Sequence, residues 1–403
     1  MSMSISALTS PAWATVPDSG DGVWATADLG DFAEAFRHWL INNWASLEPL
    51  MQPRPDYDER VASARQMRRK LFDAGWGRYG WPSRVGGLGG SILHRGIVHE
   101  ELTRRGWPGP ANFEHLEIIA PILVNHADPA FMANVFPAFL SGEEAWAQGF
   151  SEPAAGSDLA SLRTTARLAE SDAEPHLIVT GRKLWTSWAA WARRAIVLVR
   201  TGTPEERHRG LTLLAVDLTQ PGIEVRRIRQ ANGTDELAEV TFDDVRVPLQ
   251  HVIGGIGGGW GVAMNLLSYE RGTLAWSRHC HFLARLGQGI AASEPGDERD
   301  LGRMFVDLLG LRAVAASASI REAAGEQVGP EAAFTKLLMT RSEQDLYNLL
   351  SRIHGAEAAA RPRSADDELF FQEYLFSKIV TVYGGSREMQ LITIARRLLG
   401  LRA

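Results

Sequence analysis

Trp146-Ala147-Gln148-Gly149-Phe150-Ser151-Glu152-Pro153-Ala154-Ala155-Gly156-Ser157-Asp158-Leu159 is the stretch on which the reading of this chain turns. It separates sequence patterned for helix from sequence patterned for strand. N-terminal to it, Phe32, Ala35, Phe36 and Leu40 recur at helical spacing, and Ala62, Met67 and Leu71 mark a second amphipathic stretch. Glycine-rich turns at residues 75–82 and 86–90 interrupt the helices, which resume at 97–104 and 129–140. C-terminal to it come short β-rich runs bounded by turn residues, at 177–180, 196–200, 211–216, 223–228 and 240–247. Strands this short and this evenly spaced suggest a compact antiparallel sheet or barrel. After Gly254-Gly255-Ile256-Gly257-Gly258-Gly259 helical periodicity returns, with Leu301, Met304, Phe305, Leu308 and Leu309 as one apolar stripe. The expectation is an α+β chain, mainly α. It divides into a flexible terminus over 1–30, a helical domain over 31–145, a β domain over 146–252 and a second helical domain over 253–403.

Composition narrows the classes of function. The chain has 403 residues, 45% hydrophobic and 22% charged, enough for more than one substantial core. Its one cysteine, Cys280, excludes an internal disulfide and a multi-cysteine metal site. A net charge of −6 gives no general attraction to nucleic acid, and the basic clusters at 65–70 and 226–229 read first as solvated faces. No apolar run approaches the length of a membrane span. No Lys or Arg precedes Arg37, so the expected location is the cytoplasm. The glycine clusters do not form a dinucleotide fingerprint, because Val262 stands where Gly257-Gly258-Gly259-Trp260-Gly261 would need its last glycine. No P-loop, zinc helix or nucleophile elbow occurs, and the 11 histidines show no metal-ligand spacing.

The opening stretch resembles the signature of the acyl-CoA dehydrogenase family. Gly181-Arg182-Lys183-Leu184-Trp185-Thr186-Ser187 is similar to that family's second flavin-contacting motif. Further matches follow in the family order. They are Phe242-Asp243-Asp244-Val245-Arg246-Val247-Pro248, Gly259-Trp260-Gly261-Val262-Ala263-Met264, Tyr383-Gly384-Gly385-Ser386-Arg387-Glu388-Met389-Gln390 and Leu398-Leu399-Gly400-Leu401. The resemblance implies an N-terminal helical domain, a middle β-barrel or sheet domain and a C-terminal four-helix bundle, in the order that periodicity gives independently.

It also implies FAD and a set of site residues. Phe150 and Ser151 meet the flavin pyrimidine edge. Gly156 and Ser157 form a turn whose missing Cβ lets backbone approach a phosphate. Trp185 covers one ring face, Thr186 and Ser187 add polar contacts, and Ser386 and Glu388 reach the adenosine side, with Glu in place of the usual Gln. Taken singly, each of these has an ordinary structural role, a turn or a core aromatic; together they point to flavin.

The implied reaction takes a proton from the α-carbon of an acyl thioester and a hydride from the β-carbon. A carboxylate in a dry pocket is suited to the first task, since burial raises its proton affinity. Many family members carry it directly before the glycine of the C-terminal motif, where this chain has Gly384. A second group carries it on a mid-chain helix just before an arginine, and Tyr269-Glu270-Arg271 matches that place. Glu270 is thus the candidate base, Arg271 orients it or meets substrate, Ser157 meets substrate, and the Gly384 amide polarises the thioester carbonyl.

The resemblance also has gaps. The R-x-x-F-G motif that reaches the neighbouring subunit's flavin is missing from residues 291–303, and the later G-G-x-G contact is degraded at Ile353-His354-Gly355-Ala356-Glu357. Similar departures occur in members that pair unlike subunits, so a homo- or hetero-oligomer, dimer or tetramer, is expected. The expected partners are an acyl-CoA substrate and an electron-transfer flavoprotein or similar acceptor. A carrier-protein-tethered acyl group, a non-catalytic partner subunit and a flavin monooxygenase on the same fold stay open as alternatives.

Overall fold

The computed structural model describes residues 22–401, apart from 109–112, 170–174, 272, 327–328 and 361; the side chains of 113, 270, 271, 273 and 356–360 also lie outside the described residues. The chain forms two compact units, one from residues 1–111 with 268–403 and the other from residues 112–267.

The first unit opens with α1 (Leu29–Asn42), α2 (Trp44–Met51) and α3 (Tyr57–Asp73). Asp28 starts α1 by accepting from the Gly30 amide, and Asp56 starts α3 by accepting from Glu59, each filling one of the orphan donors of a helix N-terminus. The α1 stripe read from the sequence is buried at Phe32, Phe36 and Leu40. Phe32 packs edge-on against Trp76, Tyr79 and His94, so the glycine-rich break at 75–90 folds back as an aromatic cluster. In α4 (Ile92–Arg104) most residues are buried, including Glu100 and Glu101. Their carboxylates are neutralised by Arg104 and Arg37 at 2.8 and 3.0 Å.

The C-terminal helices of this unit are α8 (Thr273–Ala292), α9 (Glu298–Ala323), α10 (Ala332–Ala360) and α11 (Ala365–Phe376), followed by the short α12 (Arg387–Thr393). α8, α9 and α10 pack on one another, α11 packs on α10, and α4 packs against α8 and α9. Leu301, Met304 and Leu308 of the α9 stripe point into this core, whereas Phe305 and Leu309 are exposed. Gly355, at φ +77°, interrupts α10 within the segment where the glycine motif is degraded. Arg285 of α8 is buried and bridges Glu373 and Asp366 of α11 at 2.8 and 3.2 Å. Tyr347 of α10 donates to the same Glu373 at 2.8 Å.

The second unit contains α5 (Phe113–His126) and α6 (Pro129–Ser141), then the strands. These are β1 (Trp146–Gly149), β2 (Thr165–Ala169), β3 (His176–Ser187), β4 (Arg194–Arg200), β5 (Leu211–Asp217), β6 (Ile223–Ile228), β7 (Leu237–Pro248) and β8 (Val252–Ile253). Their order is β6-β7-β3-β2-β4-β5-β8, with β1 paired to β4. The pairing is mixed, unlike the antiparallel arrangement read from the sequence: β1 runs parallel to β4. The chain leaves β1 through the turn at 151–162 and returns as β2, which pairs antiparallel with β3, while β1 lies against β4. Val179, Val197, Leu214, Val216, Val240 and Val247 form the sheet's core. α7 (Gly259–Arg271) follows the sheet, with its first residues in this unit.

Candidate functional site

The signature stretch begins as β1 and leaves it at Phe150. Glu152 and Ala155 exchange backbone hydrogen bonds at 3.0 and 3.1 Å, closing a tight turn around Pro153. Beyond it Gly156 and Ser157 are exposed, and a Cβ added at Gly156 would meet nothing within 4 Å. That turn therefore borders open space. Phe150 is buried and Ser151 half-buried; the Ser151 carbonyl accepts from the Leu184 amide at 2.9 Å, tying the signature to β3. The Ser151 amide N–H has no acceptor among the described residues.

β3 reaches this point through a bulge. Its pairing with β7 runs Lys183↔Val240 and then Thr186↔Ala238, so Leu184 and Trp185 together face the single residue Glu239. An extra residue shifts the alternation of side chains by one place. Lys183 and Thr186, which strict alternation would put on opposite faces, are both buried, and Trp185 is turned outward with 53% of its surface exposed. Trp185 holds φ at +61°, a conformation that L residues other than Gly, Asn and Asp seldom adopt. Ser187 ends the strand, half-buried. The Thr186 hydroxyl is buried with no hydrogen-bond partner among the described residues. A large exposed indole, an unsatisfied buried hydroxyl, an unsatisfied amide and an open glycine turn on neighbouring segments are what a planar, polar-edged group needs. These residues fit a flavin.

Behind these groups lies a pair that the sequence reading did not single out. Lys183 is wholly buried and donates to Glu152 at 2.7 Å and to the Phe150 carbonyl at 3.1 Å. Glu152 also accepts from the amides of Arg163 and Thr164 at 2.7 and 2.9 Å. Burial pulls the Lys183 ammonium down to about 8, with the charge of Glu152 opposing it. Burial alone would raise the Glu152 carboxyl, but Lys183 and the donors around it hold it below the usual range. The pair is ionised at neutral pH. Its signal in the sequence was faint: Lys183 shares the parity of the buried Leu177 and Val179 on β3, but a lysine is a residue type seldom found wholly buried.

Trp188, another tryptophan in the left-handed region at φ +58°, is buried edge-on against His115 at 4.3 Å. His115 donates from Nδ1 to the Trp146 carbonyl over 2.7 Å, and burial lowers its pKa to about 4, so the ring is neutral. Trp191 lies under the guanidinium of Arg227 at 4.2 Å. Trp276 is core in the other unit, donating to the Gly96 carbonyl.

The remaining candidates lie in the first unit. Glu270 and Arg271 end α7, and their side chains lie outside the described residues. Gly384 and Gly385 turn the chain before α12 at φ +65° and +87°. Gln390 of α12, itself buried, donates to the carbonyls of both at 3.4 and 2.9 Å. Tyr383, just before them, receives the Arg278 guanidinium at its hydroxyl and the Lys336 ammonium over its ring at 4.1 Å. Ser386 caps α12 by accepting from Met389, and Glu388 is exposed.

Comparison with known proteins matches this arrangement along nearly its whole length. The acyl-CoA dehydrogenase N-terminal domain matches residues 42–143, its middle domain 147–245 and its C-terminal domain 257–399. The chain belongs to the acyl-CoA dehydrogenase family, FAD-containing oxidoreductases that act on CH–CH donors. It is 34% identical over 392 residues to the acyl-CoA dehydrogenase IpdE1 of Mycolicibacterium smegmatis, covering 93% of this chain and 98% of that one. It is 36% identical over 385 residues to IpdE1 of Mycobacterium tuberculosis, with the same coverage. Among solved structures, the Tcur3481-Tcur3483 steroid ACAD superposes with a TM-score of 0.80 at 27% identity, over 92% of this chain and 97% of that one. No helix among the described residues is long and apolar enough to cross a membrane.

Thr186→Val tests the seat. Deleting a buried, unsatisfied hydroxyl is expected to leave the cofactor-free protein as stable or more stable, by up to about 1 kcal/mol, while weakening FAD binding by roughly tenfold. Thermal melts of the apoprotein and FAD titration by fluorescence give the two readouts. A variant that is less stable and binds FAD normally would mean that the hydroxyl serves the fold.

Proposed function

We propose that this chain catalyses the FAD-dependent α,β-dehydrogenation of an acyl thioester, acyl-CoA to trans-2-enoyl-CoA, with Glu270 as the base. The observation that carries this reading is the β3 bulge, which sets Trp185 outward beside a buried, unsatisfied Thr186. FAD supplies the hydride acceptor when bound. Phe150, Ser151, Trp185, Thr186 and Ser187 hold its ring, Gly156 and Ser157 its phosphates, and Ser386 and Glu388 its adenosine side. The Gly384 amide, in a turn held by Gln390, donates to the thioester carbonyl and so acidifies the α-carbon. Glu270 takes the α-proton, and Arg271 orients the carboxylate or meets the substrate, as does Ser157. Electrons pass on to an electron-transfer flavoprotein or similar acceptor.

The test is an anaerobic titration of the FAD-loaded protein with a panel of acyl-CoAs, followed by the flavin's visible band. Bleaching by one or more thioesters, with the enoyl product recovered, is the expected result. Bleaching only by an acyl group on a carrier-protein arm would move the substrate to that class. Oxygen-dependent hydroxylation by externally reduced flavin would replace dehydrogenation by monooxygenation.

A heteromeric assembly is favoured by a separate observation. The outer face of α9 carries Phe305, Val306, Leu309 and Val314, each more than a third exposed, an apolar surface that suits association. The cross-subunit flavin motif is absent from the segment leading into the same helix, and the steroid ACAD relative is named for two chains. Expressed alone, the chain is expected to take up FAD incompletely and to fill its site when a related subunit is co-expressed. A fully flavin-loaded homo-oligomer by gel filtration and native mass would exclude this assembly.

A further inference from the structure

Lys183 occupies a place where neither the strand nor the acid–base chemistry needs a charge. It is wholly buried among sheet residues, and its stem passes close to Gly149, where an added Cβ would meet Lys183 Cγ at 3.4 Å. A buried ion pair is often no more stable than apolar residues of the same volume, because desolvation offsets the attraction. Stability alone therefore gives little reason for an ammonium here. Its contacts suggest another. Nζ donates to the Phe150 carbonyl at 3.1 Å, and that carbonyl belongs to the same peptide unit as the Ser151 N–H. A cation on the oxygen draws electron density along the amide and makes its N–H a stronger donor. The Ser151 N–H has no acceptor among the described residues.

We propose that Lys183 acts through the Phe150–Ser151 peptide, strengthening the Ser151 N–H towards the electron-accepting edge of the bound cofactor and so favouring its reduced state. This rests on the cofactor reading above, in which Phe150 and Ser151 meet the pyrimidine edge. Lys183 is a positioning residue, since it acts through the peptide rather than touching the cofactor. Glu152 holds the ammonium in place, and is itself fixed by the Arg163 and Thr164 amides. The donor is thus pre-set, so it need not reorganise as charge arrives.

The measurement is the two-electron midpoint potential of the FAD-loaded protein, with FAD dissociation constants, for wild type, Lys183→Met, Glu152→Gln and the double variant. Lys183→Met is expected to lower the ratio of reduced to oxidised FAD affinity about tenfold, which is about 30 mV for a two-electron couple. The same drop is expected between Glu152→Gln and the double variant, where no buried carboxylate is left unpaired, so the comparison survives if the single lysine variant does not fold. A role in packing alone would lower stability or FAD uptake and leave the potential of the loaded protein unchanged across both comparisons; that outcome overturns the proposal. Failure of the folded wild-type protein to bind FAD would instead overturn the cofactor reading beneath it.

Discussion

Glu270→Gln is expected to lower kcat by about 10²–10⁴-fold on any acyl thioester the protein oxidises, the usual contribution of a positioned general base. Glutamine keeps the shape and hydrogen bonding of the side chain but cannot take up the α-proton, so FAD binding and KM are expected to change little. No second carboxylate stands at the other place the family uses, because that position is Gly384. Nor is a glutamate easily restored there. Gly384 has φ +65°, so a side chain at this site would strain the turn that Gln390 holds. Glu270→Gln with Gly384→Glu is therefore expected to stay inactive. Anaerobic stopped-flow bleaching measures the chemical step directly, and a fall of less than about threefold would remove Glu270 from the role of base.

The largest expected loss of stability comes from Glu373. Burial alone would raise its carboxyl pKa, but Arg285, His281 and their hydrogen bonds hold it well below the usual range. Arg285 is buried and, if Glu373 is neutralised, keeps as partners only the neutral Gln288 and the half-exposed carboxylate of Asp366. Breaking a buried pair from one side leaves a charge without its partner, and Glu373→Gln is expected to cost about 3 kcal/mol near neutral pH. Because the folded carboxyl titrates below its unfolded value, the stabilisation is present above about pH 4.5 and is lost as pH falls towards the folded value. Urea unfolding should thus show a wide gap between wild type and variant at pH 7 and a narrowing one below about pH 4. Equal gaps at both would show that the variant fails through packing. Replacing Arg285 and Glu373 together by apolar residues should recover much of the loss.

The order of helices, strands and helices was legible because long stripes such as Phe32, Phe36 and Leu40 need only local periodicity, and the core strands are dense in Val, Ile and Leu. β3 was legible only in its first part. Beyond Lys183 its alternation is broken by a bulge at Leu184–Trp185, and the lysine, on the inward parity of Leu177 and Val179, is a residue type that reads as exposed. Pattern reading assumes one face per alternate residue, and a bulge cancels that assumption at the place where the candidate site lies. The short β1 and the small, polar β2 carry too little pattern to register. β1 also runs parallel to β4, a pairing that depends on residues far apart in the chain. Site segments were legible from their motifs, and their orientation was not. The partnership of Lys183 with Glu152 joins residues 31 apart through a turn and a bulge, neither of which a sequence writes down.

The left-handed backbone of Trp185 has a consequence for how this protein can change. A bulky residue at φ +61° costs of order 1–3 kcal/mol relative to one that accepts that conformation. The empty protein would gain stability from almost any mutation to Asn or Gly there, whereas only a broad ring can cover a cofactor face. Trp185→Asn is accordingly expected to raise the melting temperature of the apoprotein while weakening FAD binding, and selection for heat resistance alone would tend to erode this position. A lineage that stopped using flavin would drift away from tryptophan at 185 while keeping the core residues of β3, so the side chain at this place serves as a marker of retained use.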